Sequence, residues 1–268
     1  MAEERTVPSD EEECAGKIAA DLRLLGVRPG DILLVHSSLR SLGYVPGGCE
    51  TVVRGILDAL GSEGTLLMPA LSYAQKPFDV HDTLRTPSCV GAIPEHFRRR
   101  QGTMRSVHPT HSVCGTGRQA ADILRHHIRD STPCGRCSPF NLICDRGAKI
   151  VMLGCGLKPN TTMHALEEYV NPPYLLDGEC VFYLRDADGR TFHKAYRVHD
   201  FRGWRQRYDR VERLPDAGLF LARGRVLAAE TFVIDAAGMK KAVLAALRKD
   251  PLAFVEPCAQ QDAGNEEE

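Results

Sequence analysis

His164 stands three and four residues ahead of Glu167 and Glu168 in the segment TTMHALEEYV. On a helix, residues at those spacings share a face, so either carboxylate can reach the imidazole. A carboxylate that holds one ring nitrogen fixes the tautomer and leaves the other nitrogen to take up a proton, which is what a general base requires. A solvated helix-surface pair has the same spacing, so the spacing alone admits both readings.

Other segments carry weaker signals. His108 and His111 flank Pro109 in VHPTHSVCGTG. Two imidazoles three apart can share a metal, but no carboxylate stands at the spacing of a helical zinc-protease motif, and a loop of packed, hydrogen-bonded imidazoles is the plainer reading. Cys134 and Cys137 form the one Cys-x-x-Cys among ten cysteines. Without a second pair at matching spacing they read as structural, followed by a helix entry at Ser138-Pro139. GTGRQA at 115–120 fits a Gly-x-Gly-x-x-Ala turn, yet no acidic residue ends a following strand about 20 residues on. In HSSLRSLGYVPGG, at 36–48, Ser37 and Ser38 close an apolar run and enter a glycine-bearing loop. Parallel strands present ligand sites beyond such carboxyl ends, and loop N–H groups there suit a phosphate or an oxyanion. A capped βα turn explains the same residues.

The elements that position these groups follow from periodicity. Residues 11–26 and 47–61 carry apolar residues at helical spacing, and DILLVHSS at 31–38 and TLLMPA at 65–70 are short apolar runs of buried-strand type. That order predicts a parallel βαβ unit. No periodicity marks 71–90, a loop long enough to be functional. Helices are expected at 91–101 and 118–129, strands at 112–116 and 149–154, and a helix at 161–170 opening on a threonine cap. From 179 the pattern becomes β-rich, with two strands around Asp188-Gly189, a strand at 226–235, and a closing helix.

Composition narrows the class. The chain of 268 residues has 43% hydrophobic and 26% charged residues and a net charge of −1. That charge argues against nucleic acid or a membrane surface as partner. The acidic start MAEERTVPSDEEE is not a secretory leader, so the expected location is the cytoplasm. One domain is expected over 11–255, with disordered tails at 1–10 and 256–268.

Several long motifs together carry a resemblance. LLVHSSLRSLGYVPGGCETVVRGILDALGSEGTLLMPA, then HPTHSV, CSPFNLI and GAKIVMLGCGLKPNTTMHALEEY resemble, in that order, the aminoglycoside 3-N-acetyltransferase family. The resemblance spans roughly residues 15–255. It implies an α/β fold, a single three-layer α/β/α domain with a central mixed sheet and a β-rich C-terminal portion, unrelated to GCN5-type acetyltransferases. It implies acetyl-CoA as donor, direct transfer to the amine of an aminoglycoside (the 3-amino group of 2-deoxystreptamine) or a related amino sugar, and no metal. His164 and Glu167 match the family's base and its orienting carboxylate. Ser37, Ser38 and Leu39 match the stretch on one side of the pantetheine arm, and Ser112 and Val113 the stretch on the other. Thr162 is placed where a hydroxyl meets the thioester oxygen.

The chemistry suits these parts. A protonated amine must lose its proton before it attacks, and a positioned base supplies roughly 10²–10⁴-fold. Arg40, Arg98, Arg99 and Arg105 are available for the CoA phosphates. A polycationic acceptor needs carboxylates, and Asp79, Asp82, Glu168, Asp177 and Asp200 are candidates though none forms a cluster in sequence; of these Asp79, Glu168 and Asp200, with Tyr73 beside them, are the expected acceptor-side residues. One departure stands out: antibiotic-modifying members typically carry an aspartate after the His-Pro pair, where this chain has Thr110-His111. The HPTHSV form resembles the branch whose natural substrates are often undefined. Two other classes are a non-catalytic CoA- or antibiotic-binding homologue and a metal-dependent hydrolase built on His108, His111 and cysteines. Neither the acceptor nor the oligomeric state is legible in the sequence.

Overall fold

Apolar runs with no polar alternation must be covered on both sides, and the fold does this with helices on each face of one sheet. The computed structural model describes residues 8–74, 76 and 78–258. The first half contains α1 (Asp10–Leu24), β1 (Ile32–Ser37), α2 (Gly48–Leu60), β2 (Thr65–Pro69), β3 (Val80–Asp82), α3 (Ala92–Arg99), β4 (Met104–Arg105) and β5 (Val113–Gly117). Then come α4 (Ala120–Leu124), α5 (Pro139–Leu142), β6 (Lys149–Leu153) and α6 (Thr162–Val170). The C-terminal part holds β7 (Leu176–Arg185), β8 (Thr191–His199), β9 (Trp204–Gln206), α7 (Ala217–Phe220), β10 (Leu221–Val226), β11 (Ala229–Asp235), α8 (Ala236–Lys249) and β12 (Val255–Pro257).

Seven strands form the central sheet in the order β10-β11-β6-β1-β2-β5-β4. β6, β1 and β2 run parallel, and their outer neighbours β11 and β5 run antiparallel, so the sheet is mixed. Because strand residues alternate between faces, each strand feeds two cores. Leu33 and Val35 of β1, Met68 of β2 and Leu153 of β6 pack with α1, α2 and α3 through Leu22, Ile56 and Phe97. Leu34, Leu67 and Met152 pack on the other side with α5, α6 and α8 through Phe140, Leu166 and Val243. The result is the three-layer α/β/α arrangement with a mixed central sheet. A three-stranded sheet, β3-β7-β8, and the pair β12-β9 make up the β-rich remainder. Among the described residues no helix is long and apolar enough to cross a membrane.

Differences from expectation have local causes. The unpatterned segment 71–90 contains β3, only three residues long, which exists because it pairs in parallel with β7 a hundred residues on. The helix expected over 118–129 divides into α4 and a 3₁₀ turn at His127–Arg129. Thr161 precedes α6 without a side-chain cap; Asn160 Oδ1 instead accepts from the Thr162 N–H at 3.2 Å. Ser9, within the expected N-terminal tail, caps α1 in a reciprocal box with Glu12, and Glu256 and Pro257 of the other tail are in β12. The rest of both tails, 1–7 and 259–268, lies outside the described residues. Ser138 caps α5 with Pro139 at its first position, as that dipeptide suggested, and all ten cysteines are free.

Candidate active site

The three parallel strands end together, at Ser37, Pro69 and Leu153. Beyond such carboxyl ends an open sheet leaves a crevice, and here it is a cavity of about 460 Å³ bordered by Ser37, Pro69 and Cys155. α6 lies across it and contributes His164, while His111 enters from the loop before β5 and His199 from the end of β8. Tyr208, from the 3₁₀ turn Tyr208–Arg213, closes the wall behind His164.

Glu167 is wholly buried, one turn along α6 from His164. Its Oε1 accepts the Tyr174 hydroxyl at 2.7 Å, and its Oε2 accepts the Tyr208 hydroxyl at 2.6 Å. His164 Nδ1 lies 2.8 Å from the Tyr208 oxygen and 3.3 Å from Glu167 Oε2. A phenol has one proton, and Tyr208 gives it to the carboxylate; its oxygen therefore accepts from His164 Nδ1–H. That assignment leaves Nε2 of His164 as the ring's bare nitrogen. Burial together with the charge of Glu167 holds the Tyr208 phenol well above the usual range, so it stays protonated.

The adjacent Glu168 serves a second histidine. Its Oε1 takes the Cys134 N–H at 2.8 Å and His199 Nε2 at 3.2 Å, and its Oε2 takes the Thr132 hydroxyl at 2.6 Å. Burial raises the Glu168 carboxyl, opposed by the Thr132 and Cys134 donors and by His164 and Arg197. The His164 and His199 rings are 4.6 Å apart between centroids. Burial, and then the neighbouring His164, push His199 well down; burial, and then His199 and His164, do the same to His111. Both are neutral. His108 is turned away from this group: its Nδ1 accepts the Thr110 and His111 N–H groups, and its ring stacks on His127.

The remaining candidates divide. Ser37 and Tyr73 line the cavity. Ser38 has its N–H on Leu153 O at 2.9 Å and its hydroxyl 2.9 Å from Ser41 Oγ, and Leu39 packs against the core. Ser112 and Val113, the residues after His111, are fully buried; Ser112 Oγ donates to Ala70 O at 2.8 Å and accepts from Arg105. Thr162 does not reach the cavity, because its hydroxyl is buried inside the first turn of α6 without a hydrogen-bond partner; Thr161 lines the cavity instead. Asp200 is paired with Arg202 at 2.9 Å, as is Asp177 at 2.7 Å. Asp79 accepts the Lys76 N–H at 3.1 Å beside a separate cavity. Of the arginines, Arg98 is held by Glu95 and Arg105 by backbone carbonyls. Arg40 and Arg99 are exposed.

Tyr208, Tyr174, His199 and His36 were absent from the sequence-derived set. Tyr208 is 44 residues from His164 and His199 is 31 from Glu168, so no local spacing announces either contact. His36 had a signal: it directly follows the apolar run ILLV within β1, where burial brings its imidazole down to about 3.

Comparison with known proteins places this geometry. The family model described as aminoglycoside 3-N-acetyltransferase matches residues 34–248. Aminoglycoside N(3)-acetyltransferase IX of Micromonospora chalcea is 28% identical over 251 residues, covering 82% of this chain and 88% of the relative. Aminoglycoside N(3)-acetyltransferase IV of a Salmonella species is 29% identical over 242 residues, covering 90% of each. A solved structure of aminoglycoside acetyltransferase AAC(3)-IVa, a mutant in complex with a gentamicin, superposes with a TM-score of 0.81 at 27% identity, over 93% of this chain and 95% of that one. The chain belongs to the aminoglycoside 3-N-acetyltransferase family and is an acyltransferase of that family.

Proposed function

We propose that this chain transfers the acetyl group of acetyl-CoA directly to an amine of an aminoglycoside, a related amino sugar or a small amine, with His164 as general base. The observation that carries the reading is the Glu167–Tyr208–His164 relay, which orients an imidazole whose Nε2 is bare on the wall of the cavity. The bound ammonium first loses its extra proton to water, as general acid–base chemistry requires. The amine nitrogen then attacks the thioester carbon while Nε2 takes the proton that leaves it. The tetrahedral intermediate expels the CoA sulfur, which recovers that proton from His164. The resulting imidazolium faces the Tyr208 oxygen and, through it, the Glu167 carboxylate.

Oxyanion stabilisation falls to donors on the cavity wall. Thr161, which lines this wall, is the hydroxyl proposed for that role. The pantetheine arm is proposed to run past Ser37, with Ser38, Leu39, Ser112 and Val113 shaping the strand ends around it.

Acceptor charge is the finer point. Among the described residues lining the cavity there is no Asp or Glu, and Lys158 is present. Asp177 and Asp200 are engaged by Arg202, and Glu168 by His199, Thr132 and Cys134. This favours an acceptor with one or two amines over a highly charged polycation. The test is an acceptor panel with acetyl-CoA, read by product mass and thiol release, that spans monoamino sugars and 2-deoxystreptamine aminoglycosides. Higher kcat/KM for the less charged acceptors is expected; a strict preference for the polycations contradicts the charge argument, and no acetylated product on any amine contradicts the reaction.

A further inference from the structure

Three imidazoles converge in the cavity: His111, His164 and His199 each place one ring nitrogen within 4.8 Å of one from each of the other two. Each ring also has an outer partner. His164 Nδ1 meets the Tyr208 oxygen at 2.8 Å, backed by Glu167. His199 Nε2 meets Glu168 Oε1 at 3.2 Å. His111 Nδ1 lies 2.8 Å from the Thr110 hydroxyl, which can accept its proton. Left over are Nε2 of His111, Nε2 of His164 and Nδ1 of His199. An imidazole whose far nitrogen is held by a carboxylate or hydroxyl, with its near nitrogen bare, is the form in which histidine ligates transition metals. Three such rings beside an open position match the donor set of a four-coordinate zinc site that keeps one place for water or ligand.

We infer that His111, His164 and His199 form a binding site for a divalent transition ion of the zinc type, with its fourth position open to the cavity. The set is wide for a tetrahedral ion, whose ligand nitrogens stand about 3.3 Å apart when each metal–nitrogen bond is near 2.0–2.1 Å. Binding therefore draws the ring nitrogens inward from separations of up to 4.8 Å, each ring turning about its outer hydrogen bond. All-imidazole ligation selects Zn²⁺, Co²⁺ or Ni²⁺ over Mg²⁺ or Ca²⁺, which take oxygen ligands. The set differs from the His108–His111 pair suggested by the sequence, since His108 Nδ1 is occupied by backbone N–H groups. Filling the site consumes the lone pair of His164 Nε2, so the ion blocks acetyl transfer; that consequence, though not the binding, rests on the general-base reading.

The experiment titrates chelator-treated, full-length protein with Co²⁺ under reducing conditions and follows the visible bands of four-coordinate cobalt. One equivalent is expected to bind, displaced by Zn²⁺. His111→Ala, His164→Ala and His199→Ala should each weaken binding at least tenfold, with circular dichroism unchanged; if an alanine variant does not fold, the glutamine variant is read instead. Absence of stoichiometric binding, binding that survives all three substitutions, or a thiolate-to-cobalt charge-transfer band assigning the ion to cysteine would overturn the site. Cobalt bound as described with acetyl transfer undiminished would keep the site and remove the base assignment.

Discussion

At the scale of single residues, the hydroxyl of Tyr208 is the hinge of the site. It stands closer to His164 than Glu167 does, 2.8 Å against 3.3 Å, and is itself held by the carboxylate at 2.6 Å. Tyr208→Phe removes this bridge and leaves the ring oriented only by the longer contact. A fall in kcat of roughly 10–100-fold is expected, the loss usual when an outer partner of a functional imidazole is removed, with KM for acetyl-CoA little changed. Steady-state kinetics of the variant check it, and an unchanged kcat counts against the relay. The same change removes one of two phenols donating to a fully buried carboxylate, so the variant should also lose about 1.5–3 kcal/mol in denaturant unfolding. The His164–Glu167 pair was legible in the sequence because a helix converts a three-residue interval into contact. Tyr208 was not, because its partnership with Glu167 exists only after β9 and the following turn fold back over α6, and Tyr174, seven residues from Glu167, was not because it reaches back from the turn after α6, beyond any helical spacing.

At the scale of elements, the site depends on how three parallel strands stop. β6 ends at Leu153, and Gly154 turns the chain with φ of +72°. A Cβ there would lie 2.7 Å from Ser41 Cβ and 3.0 Å from Ala229 Cβ. Gly154→Ala therefore combines a left-handed backbone with a clash and should cost on the order of 1–3 kcal/mol. Thermal unfolding of the variant, alongside kcat, tests this; an unchanged melting temperature contradicts the packing described. The parallel βαβ core could be read directly, since apolar runs of strand length alternate with amphipathic helices. β3, β9 and β12 could not, because strands of three residues carry too little pattern and are defined by non-local pairing. β10, LARGRV, was missed for another reason: on the sheet edge, half its residues face solvent and the apolar signal is diluted.

At the scale of the whole molecule, the fold buries imidazoles in number. Burial brings His36, His81 and His127 each to about 3. The unfolded chain takes up protons on these rings near pH 6.5, while the folded chain does not until about pH 3. Their contribution to stability is therefore complete above about pH 6.5 and is lost progressively as pH falls towards 3, at up to ~1.4 kcal/mol per pH unit per ring. Glu168 and Asp130, whose carboxyls are raised by burial, act in the opposite sense at the acid end and offset part of the loss. The urea midpoint should fall from about pH 6.5 to pH 5.5; a midpoint that is flat or rises over that interval contradicts neutral burial of these rings.

The most direct test of acetyl transfer by a relay-oriented base is the rate of thiol release by His164→Ala, on the acceptor most active with the wild-type protein. Loss of roughly 10²–10⁴-fold in kcat, the share a positioned base supplies, is expected, with acetyl-CoA binding by calorimetry retained. A variant that binds acetyl-CoA and releases thiol at the wild-type rate would contradict it.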